Sequence, residues 1–277
     1  MTTRVLLATT FHPASHTAAL PFLRSAAALC SNGLVIDLVI LRTPAEIDRD
    51  PASVHAPWPI RVLPADTAVL PSVAGICRFL ADQTAHDLVG YFNADIAFRP
   101  GFAQDLRRVA AMATDCLHCW HRFDVEAAGP LGTYRHGLDV FVASPTFLRT
   151  SQLHPLFLIG KPGWDYHLPL GFPVARVRVH SSFDLVHQTH PSGFAGDWSV
   201  AMIAVAANHL CLPLPWRMLQ IPPGPLVGRT LGLLARVCLW LVIVPALRRR
   251  GWRFPRRPYG TMPSSVHAAH AGLQRPF

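Results

Sequence analysis

Apolar residues fall in two rhythms along this chain. Residues 4–9, 34–41, 60–63 and 88–93 are short, nearly unbroken apolar runs of buried-strand length, whereas residues 18–31 and 69–83 carry apolar side chains at helical spacing. The first helix is predicted to stop at Asn32-Gly33, because glycine readily takes the conformation that closes a helix. Strand and helix alternate, which predicts a parallel sheet with helical crossovers. Further along, residues 100–114 predict a helix with Asp105, Arg107 and Arg108 on its wet side, and residues 116–123, 138–143 and 174–180 predict strands. Between them the chain is rich in Gly, Pro, His and aromatic residues, the composition of loops that build binding surfaces.

The fourth run ends abruptly. Leu88-Val89-Gly90-Tyr91-Phe92 gives way to Asn93-Ala94-Asp95 before Ile96-Ala97-Phe98 resumes. Oxygen donors one residue apart, at the carboxyl end of a parallel strand, suit a hard cation such as Mg²⁺ or Mn²⁺ that shares diphosphate oxygens. Open α/β sheets bind ligands at that edge. The plainer alternative is that Asn93 and Asp95 cap the turn or the next helix. Asp37, inside a predicted strand, needs a partner to offset its burial.

From about residue 221 the character changes. Pro222-Pro223-Gly224-Pro225 interrupts the chain, and residues 226–247 are apolar apart from glycines, Thr230, Arg229 and Arg236. The longest uncharged stretch, 237–247, has 11 residues and contains Pro245. That is short of the roughly 20 needed to cross a bilayer. Arg229, Arg236 and Arg250 recur at spacings of seven and fourteen and so fall on one helix face. The pattern predicts an amphipathic helix lying in a membrane plane, the alternative being a helix packed on the protein's own core or a partner subunit. The chain accordingly divides into a domain at 1–221 and a basic tail at 222–277.

With 277 residues, 51% of them hydrophobic, the chain can build one large α/β core, and disorder of the whole is excluded. Of its net charge of +9, six charges come from Arg248, Arg249, Arg250, Arg253, Arg256 and Arg257, with no acidic residue among them. A basic cluster directly after an apolar segment fits an anionic membrane surface, residues 226–257 being the contact, better than nucleic acid, for which no recognition motif is present. The first residues hold too short an apolar run for a secretory signal, which predicts a cytoplasmic chain, peripheral on the inner face of the cell membrane, with six reduced cysteines. Cys116-Leu117-His118-Cys119-Trp120-His121 lacks a second cysteine pair for a zinc site, and its alternation suits a strand.

Five landmarks occur in order: Tyr91-Phe92-Asn93-Ala94-Asp95-Ile96, His121-Arg122-Phe123-Asp124, Gly137-Leu138-Asp139-Val140-Phe141-Val142, Ile159-Gly160-Lys161-Pro162-Gly163-Trp164-Asp165 and Val186-His187-Gln188-Thr189-His190. Together they resemble a group of bacterial GT-A-like glycosyltransferase domains, over about residues 4–192. That group's pattern runs Asn-small-Asp-Ile, Arg-Arg-Trp-Asp, Gly-Asp-Tyr-Phe-Val-Phe, Gly-Arg-x-x-Trp-Asp-Asn-Trp and His-Gln-Asn-His. This chain departs from it at His121, Phe123, Leu138-Asp139-Val140, Lys161, Tyr166-His167 and Thr189. The Tyr166-His167 change, which replaces Asn-Trp, bears on the acceptor pocket.

The resemblance implies a GT-A-like α/β fold, with a mixed, mostly parallel sheet flanked by helices plus the C-terminal amphipathic helix. It further implies a nucleotide-diphospho-sugar donor lying over the first strands, with Mn²⁺ or Mg²⁺ bridging its diphosphate to Asp95. Asn93 would be a neutral partner, and His187 or His190 would complete the metal shell from a later loop or contact phosphate. Thr9, Thr10 and Phe11 are placed toward the nucleotide. Arg122 and Asp124 either pair internally or contact sugar and phosphate. Asp165 is the candidate general base, with Trp164 stacking on a sugar ring. The plainer alternative has Asp165 capping a helix and Trp164 filling the core.

The expected function is metal-dependent transfer of a sugar to a sugar or lipid-linked acceptor near a membrane, in surface polysaccharide or glycolipid assembly. Two other readings stand beside it. A sugar-nucleotide nucleotidyltransferase shares the strand-helix pattern, but Thr9-Thr10-Phe11-His12-Pro13 is not a Gly-rich phosphate loop. A catalytically silent scaffold, serving as a membrane or partner module, is favoured by Asn93 and by the altered residues after Asp165.

Overall fold

The computed structural model describes residues 2–10, 16–31, 33–49, 58–63, 70–112, 115–126, 129–155, 157–189, 198–212 and 225–253. The first half of the chain runs β1 (Thr3–Thr9), α1 (His16–Ala27), β2 (Leu34–Arg42), α2 (Pro44–Arg49), β3 (Ile60–Val62), α3 (Val73–Ala81) and β4 (Leu88–Phe92). Next come β5 (Ile96–Phe98), α4 (Phe102–Ala111), β6 (Leu117–Glu126), β7 (Gly129–Thr133), β8 (Val140–Ala143), α5 (Pro145–Leu148), α6 (Trp164–Leu170) and β9 (Val177–Gln188). Helices α7 (Trp198–His209), α8 (Pro225–Cys238) and α9 (Val244–Arg248) follow, the last two joined by a π-helical turn, Leu239–Ile243.

The strands form one mixed sheet in the order β3-β2-β1-β4-β8-β6-β9-β5, with β7 on β6. The alternation of the first half appears as four parallel strands, β3-β2-β1-β4. Strand β8 then runs antiparallel between β4 and β6, β9 lies parallel to β6, and β5 closes antiparallel on β9. Apolar side chains pack on both faces, which is why the parallel strands read as continuous apolar runs. Leu6, Ala8, Val89 and Tyr91 point to one core, and Val5, Leu7, Leu88 and Phe92 to the other. At Gly90 a Cβ would stand 2.5 Å from Phe141 O, so the close approach of β4 to β8 requires glycine. The charge expected to need a partner has two: Asp37 Oδ2 lies 3.0 Å from Arg4 Nη2 and 2.9 Å from His86 Nε2.

Two departures from the sequence pattern matter for the site. The strand expected at 174–180 begins at Val177 and continues to Gln188, so His187 lies on a strand and not on a loop. Ladder bonds to both β5 and β6 extend it past the apolar pattern. The three-residue strand β5, hidden in the apolar residues after Asp95, pairs with it.

Helix α8, the π turn and α9 form a continuous C-terminal rod, and its 19-residue stretch Thr230–Arg248, with a mean hydropathy of 2.1 over its most apolar 18 residues, is long and apolar enough to cross a membrane by length and composition. One side packs on α7 and the core, burying Ala235, Ile243, Val244 and Leu247. The other exposes Leu233, Leu234, Val237, Trp240 and Leu241. Arg236 is exposed as expected, but Arg250 does not share its wet face. The helix ends at Arg248, Gly251 takes φ +90°, and the chain turns inward. Arg250 is thereby buried, donating to Ala246 O (2.8 Å) and Phe172 O (2.9 Å).

Candidate active site

Polar side chains from four strands and their turns meet at the carboxyl end of β4. The turn 93–95 is closed by Ile96 N–H donating to Asn93 O (3.1 Å) and leads straight into β5. The β5–β9 register sets Ile96 opposite His187, and the β6–β9 register sets Asp124 beside it. The imidazole therefore lies between the turn and β6. Its Nε2 is 3.3 Å from Asp95 Oδ2 and its Nδ1 is 3.0 Å from Asp124 Oδ1.

Buried carboxylates are costly without a counter-charge, and Arg122 supplies one to two of them. Its Nε donates to Asp124 Oδ1 (2.7 Å) and its Nη1 to Asp139 Oδ1 (2.8 Å). Asn93 Nδ2 donates to the same Asp139 oxygen (2.7 Å), and Tyr134 offers its ring face 4.6 Å from the guanidinium carbon. Burial works against the Arg122 charge, but Asp139 and Asp124 outweigh it and raise the guanidinium above its ordinary range. Asp139 remains above the usual carboxylate range because burial outweighs the Arg122 charge. Burial also opposes a charged His187, yet its hydrogen bonds to Asp124 and Asp95 push it up to about 9.

Asp165 approaches the cluster from α6. That helix starts after Gly163, whose φ of +85° demands glycine. The half-buried Asp165 carboxylate accepts from its own amide and from those of Leu138 and Tyr166. The N-cap of α6 is Gly163, so Asp165 lies inside the first turn and not at the capping position of the plainer reading. Burial and then the Asp139 charge nevertheless push its pKa up to about 7, in the range of a base at neutral pH.

Asn93, Asp95, Arg122, Asp124 and His187 converge as one cluster, with Asp165 beside it through Asp139. Trp164 does not present a sugar-stacking face. It is 5% exposed and packs edge-on against Tyr91 and Phe141, because the first turn of α6 directs it under the sheet. Thr9 does not reach a nucleotide either: fully buried, it donates its hydroxyl to Phe92 O (2.7 Å). Thr10, half-buried at the strand end, shares a hydrogen bond of 2.8 Å with the Tyr91 hydroxyl. Phe11 and His190 lie outside the described residues. Sequence reasoning gave no role to Asp139 or Tyr134. Asp139 carried a usable signal, since a carboxylate opening a predicted buried strand needs partners.

Asp95 is 38% exposed at its side chain and faces His187 Nε2. One carboxylate oxygen and one imidazole nitrogen, with the Asn93 amide beside them, form a donor set suited to manganese. Among the described residues no group of three His, Cys, Asp or Glu side chains could hold a metal ion. A cation here would need further ligands from a bound molecule and water, a demand that a diphosphate meets.

No protein-family model matches the chain, and no curated sequence is recognisably similar. Solved structures do match. Glucosyl-3-phosphoglycerate synthase from Mycobacterium tuberculosis, in complex with Mn²⁺, UDP and phosphoglyceric acid, is 14% identical, with TM-score 0.52 over 77% of this chain and 80% of that one. A mannosyltransferase from Pyrobaculum calidifontis, in complex with GDP-Man and Mn²⁺, is 12% identical, with TM-score 0.51 over 99% of this chain and 81% of that one. At these identities the likeness is one of fold. The mixed sheet with its flanking helices is the GT-A fold.

Proposed function

We propose that this chain is a metal-dependent glycosyltransferase, moving a sugar from a nucleotide-diphosphate donor to an acceptor held near a membrane, in surface polysaccharide or glycolipid assembly. The observation that carries the reading is the convergence of Asp95 and His187 at the carboxyl end of β4, with Asp165 close by, on a GT-A sheet. The metal-bound, nucleotide-bound neighbours support it at the level of fold.

Asp95 and His187 would hold Mn²⁺ or Mg²⁺, with Asn93 as a neutral neighbour. The ion supplies charge to offset what develops on the departing nucleoside diphosphate. Asp124 fixes the imidazole through Nδ1, and Arg122 fixes Asp124, so the ligand is oriented by groups away from the substrate. Asp165 takes the proton of the acceptor hydroxyl as its oxygen attacks the sugar carbon and the bond to the diphosphate breaks. The C-terminal rod supports a membrane-near acceptor, with exposed Leu233, Trp240 and Leu241 beside exposed Arg236, Arg248 and Arg249. This arrangement fits a chain lying on the inner face of the cell membrane.

The test is thermal stabilisation by nucleoside diphosphates and nucleotide-sugars, with and without Mn²⁺, in wild type and Asp95→Ala. A shift that needs both metal and one nucleotide, and is lost in the variant, supports the reading and names the base. No shift with any nucleotide overturns it in favour of a catalytically silent scaffold.

A further inference from the structure

Trp252 lies beyond the last helix, in the stretch that reads from sequence as a basic tail, yet it is only 1% exposed. Its Nε1–H donates to Arg135 O (2.7 Å). Its ring stacks on Tyr166, with centroids 5.1 Å apart, and meets His121 edge-on at 5.6 Å. All three partners border the seat of Asp165. Arg135 belongs to the loop 134–139, whose Leu138 amide reaches the Asp165 carboxylate and whose Gly137 would place a Cβ 3.3 Å from Asp165 Oδ2. His121 Nδ1 donates to Gly137 O (2.9 Å). Tyr166 gives its amide to Asp165 and its hydroxyl to His136 O (2.7 Å).

We propose that Trp252 is a positioning residue for the acceptor side of the site, clamping the loop 134–139 to Tyr166 so that the Asp165 carboxylate keeps its place. The chemistry assigned to Asp165 rests on the transferase reading, whereas the clamp rests on the contacts above. An indole suits this role because it gives a broad stacking face and one donor for a loop carbonyl that would otherwise lose its partner. Arg250, two residues earlier, fastens the same stretch to Phe172 O. The C-terminal segment thus builds part of the wall around the base, and the rod with the exposed apolar face is fixed to that wall.

The experiment uses the full chain and two variants. Trp252→Phe keeps a stacking ring and removes the donor, and Trp252→Ala removes both. The readout is the ionisation midpoint of Asp165 by ¹³C NMR of its carboxyl carbon, assigned with Asp165→Asn. The titratable groups that act on that carboxyl are Asp139, just before β8, Tyr134 from the loop and Tyr166 from α6. A loosened clamp admits water, so the midpoint in Trp252→Ala is expected to fall by one pH unit or more, with Trp252→Phe between it and wild type.

Binding of UDP and GDP with Mn²⁺ should stay within about twofold of wild type, while transfer to water or acceptor falls about 10- to 100-fold, as for a misplaced catalytic group. A folded Trp252→Ala with an unchanged Asp165 midpoint overturns the proposal. If that variant does not fold, an unchanged midpoint in Trp252→Phe does the same. Failure of wild type to bind any nucleotide overturns the transferase reading, and the midpoints still decide whether Trp252 fixes the carboxylate.

Discussion

His187 stands between two carboxylates of different standing: exposed Asp95 at 3.3 Å from Nε2 and buried Asp124 at 3.0 Å from Nδ1. The buried contact orients the ring, and the exposed one is where the proposed function brings the metal-bound donor. Behind Asp124 the chain of partners runs through Arg122 to Asp139 and Asn93, so one network joins β6, β8, β9 and the turn after β4. Such outer partners keep a metal-binding imidazole in one orientation.

Removing Asp95 or His187 as Ala should abolish Mn²⁺-dependent binding of nucleoside diphosphate and lower transfer by at least about 100-fold. Asp124→Asn, which reaches the metal site through the imidazole and also loosens Arg122, should cost about 10- to 100-fold in Mn²⁺ affinity. Calorimetric titration of Mn²⁺ with UDP or GDP present measures both. Metal-stimulated binding that survives in Asp95→Ala would remove Asp95 from the site.

Arg122 is the counter-charge for two carboxylates whose side chains are 2% and 4% exposed. Arg122→Met strands both and should destabilise the fold by about 3–5 kcal/mol. Arg122→Lys should recover little, since one ammonium cannot reproduce the fork that reaches Asp124 and Asp139 from separate nitrogens. Urea unfolding followed by circular dichroism gives the values. A loss below about 1 kcal/mol for Arg122→Met would mean the acids are compensated elsewhere.

Asp165, pushed up to about 7, should impose a limb on the pH–rate profile, with activity rising as pH passes through that value. Asp165→Asn should remove the limb and lower turnover about 10²- to 10⁴-fold. Its effect on stability has the opposite sense. Between the ordinary carboxylate value and about 7 the native state holds a proton that the unfolded state has released, so this group's contribution is present at low pH and lost as pH rises. Asp165→Asn should therefore gain stability over wild type as pH goes from 5 to 8. A variant destabilised equally at both pH values would refute the raised pKa.

Three buried histidines oppose this. Burial, chiefly, lowers His118 and His121 to about 4 and His167 to about 3. From about 6.5 downward the unfolded chain takes up protons that these native side chains refuse, so stability falls with acid. These three, with His154, His180 and His209 lowered in the same sense, against Asp139, Asp165 and Asp184, which run the other way, leave a net loss. The melting temperature should drop by about 5 °C or more between pH 7 and pH 4.5. A flat profile over that window would mean that these imidazoles are reached by water.

The alternation of apolar runs and helices was enough to read the parallel half of the sheet, because strands buried on both faces leave a continuous apolar signature. Strands β5 and β7 were not legible. At three residues β5 has no period of its own, and it exists because β9 offers an edge. Asp95, His187, Arg122 and Asp124 were found as chemistry-bearing residues. Their mutual geometry was not, since it depends on a register that brings residue 96 opposite 187 and 124 beside it. Thr9 was misplaced, and Trp164 follows the plainer of its two readings, for one reason: each borders a polar landmark, and nothing in the spacing says which side of the backbone turns inward. Trp252 was read as tail because Arg248, Arg249, Arg253, Arg256 and Arg257 surround it, and burial of a lone aromatic among arginines leaves no periodic trace.

The exposed side of the C-terminal rod should bind anionic bilayers. Trp240 and Leu241 are 57% and 71% exposed, so replacing both with Glu should leave the fold intact. From residue 198 to the end the chain has ten arginines and no acidic residue, a charge balance suited to phosphatidylglycerol and not to neutral lipid. In flotation assays wild type should rise with phosphatidylglycerol-containing vesicles and stay behind with pure phosphatidylcholine. The double Glu variant should lose at least about tenfold in partitioning through lost apolar insertion. Added salt should weaken wild-type binding only in part, because screening removes the arginine attraction and leaves the apolar contact. Equal partitioning of wild type and variant would exclude this face. A dimer in solution that the same two substitutions dissolve would assign it to a second copy of the chain.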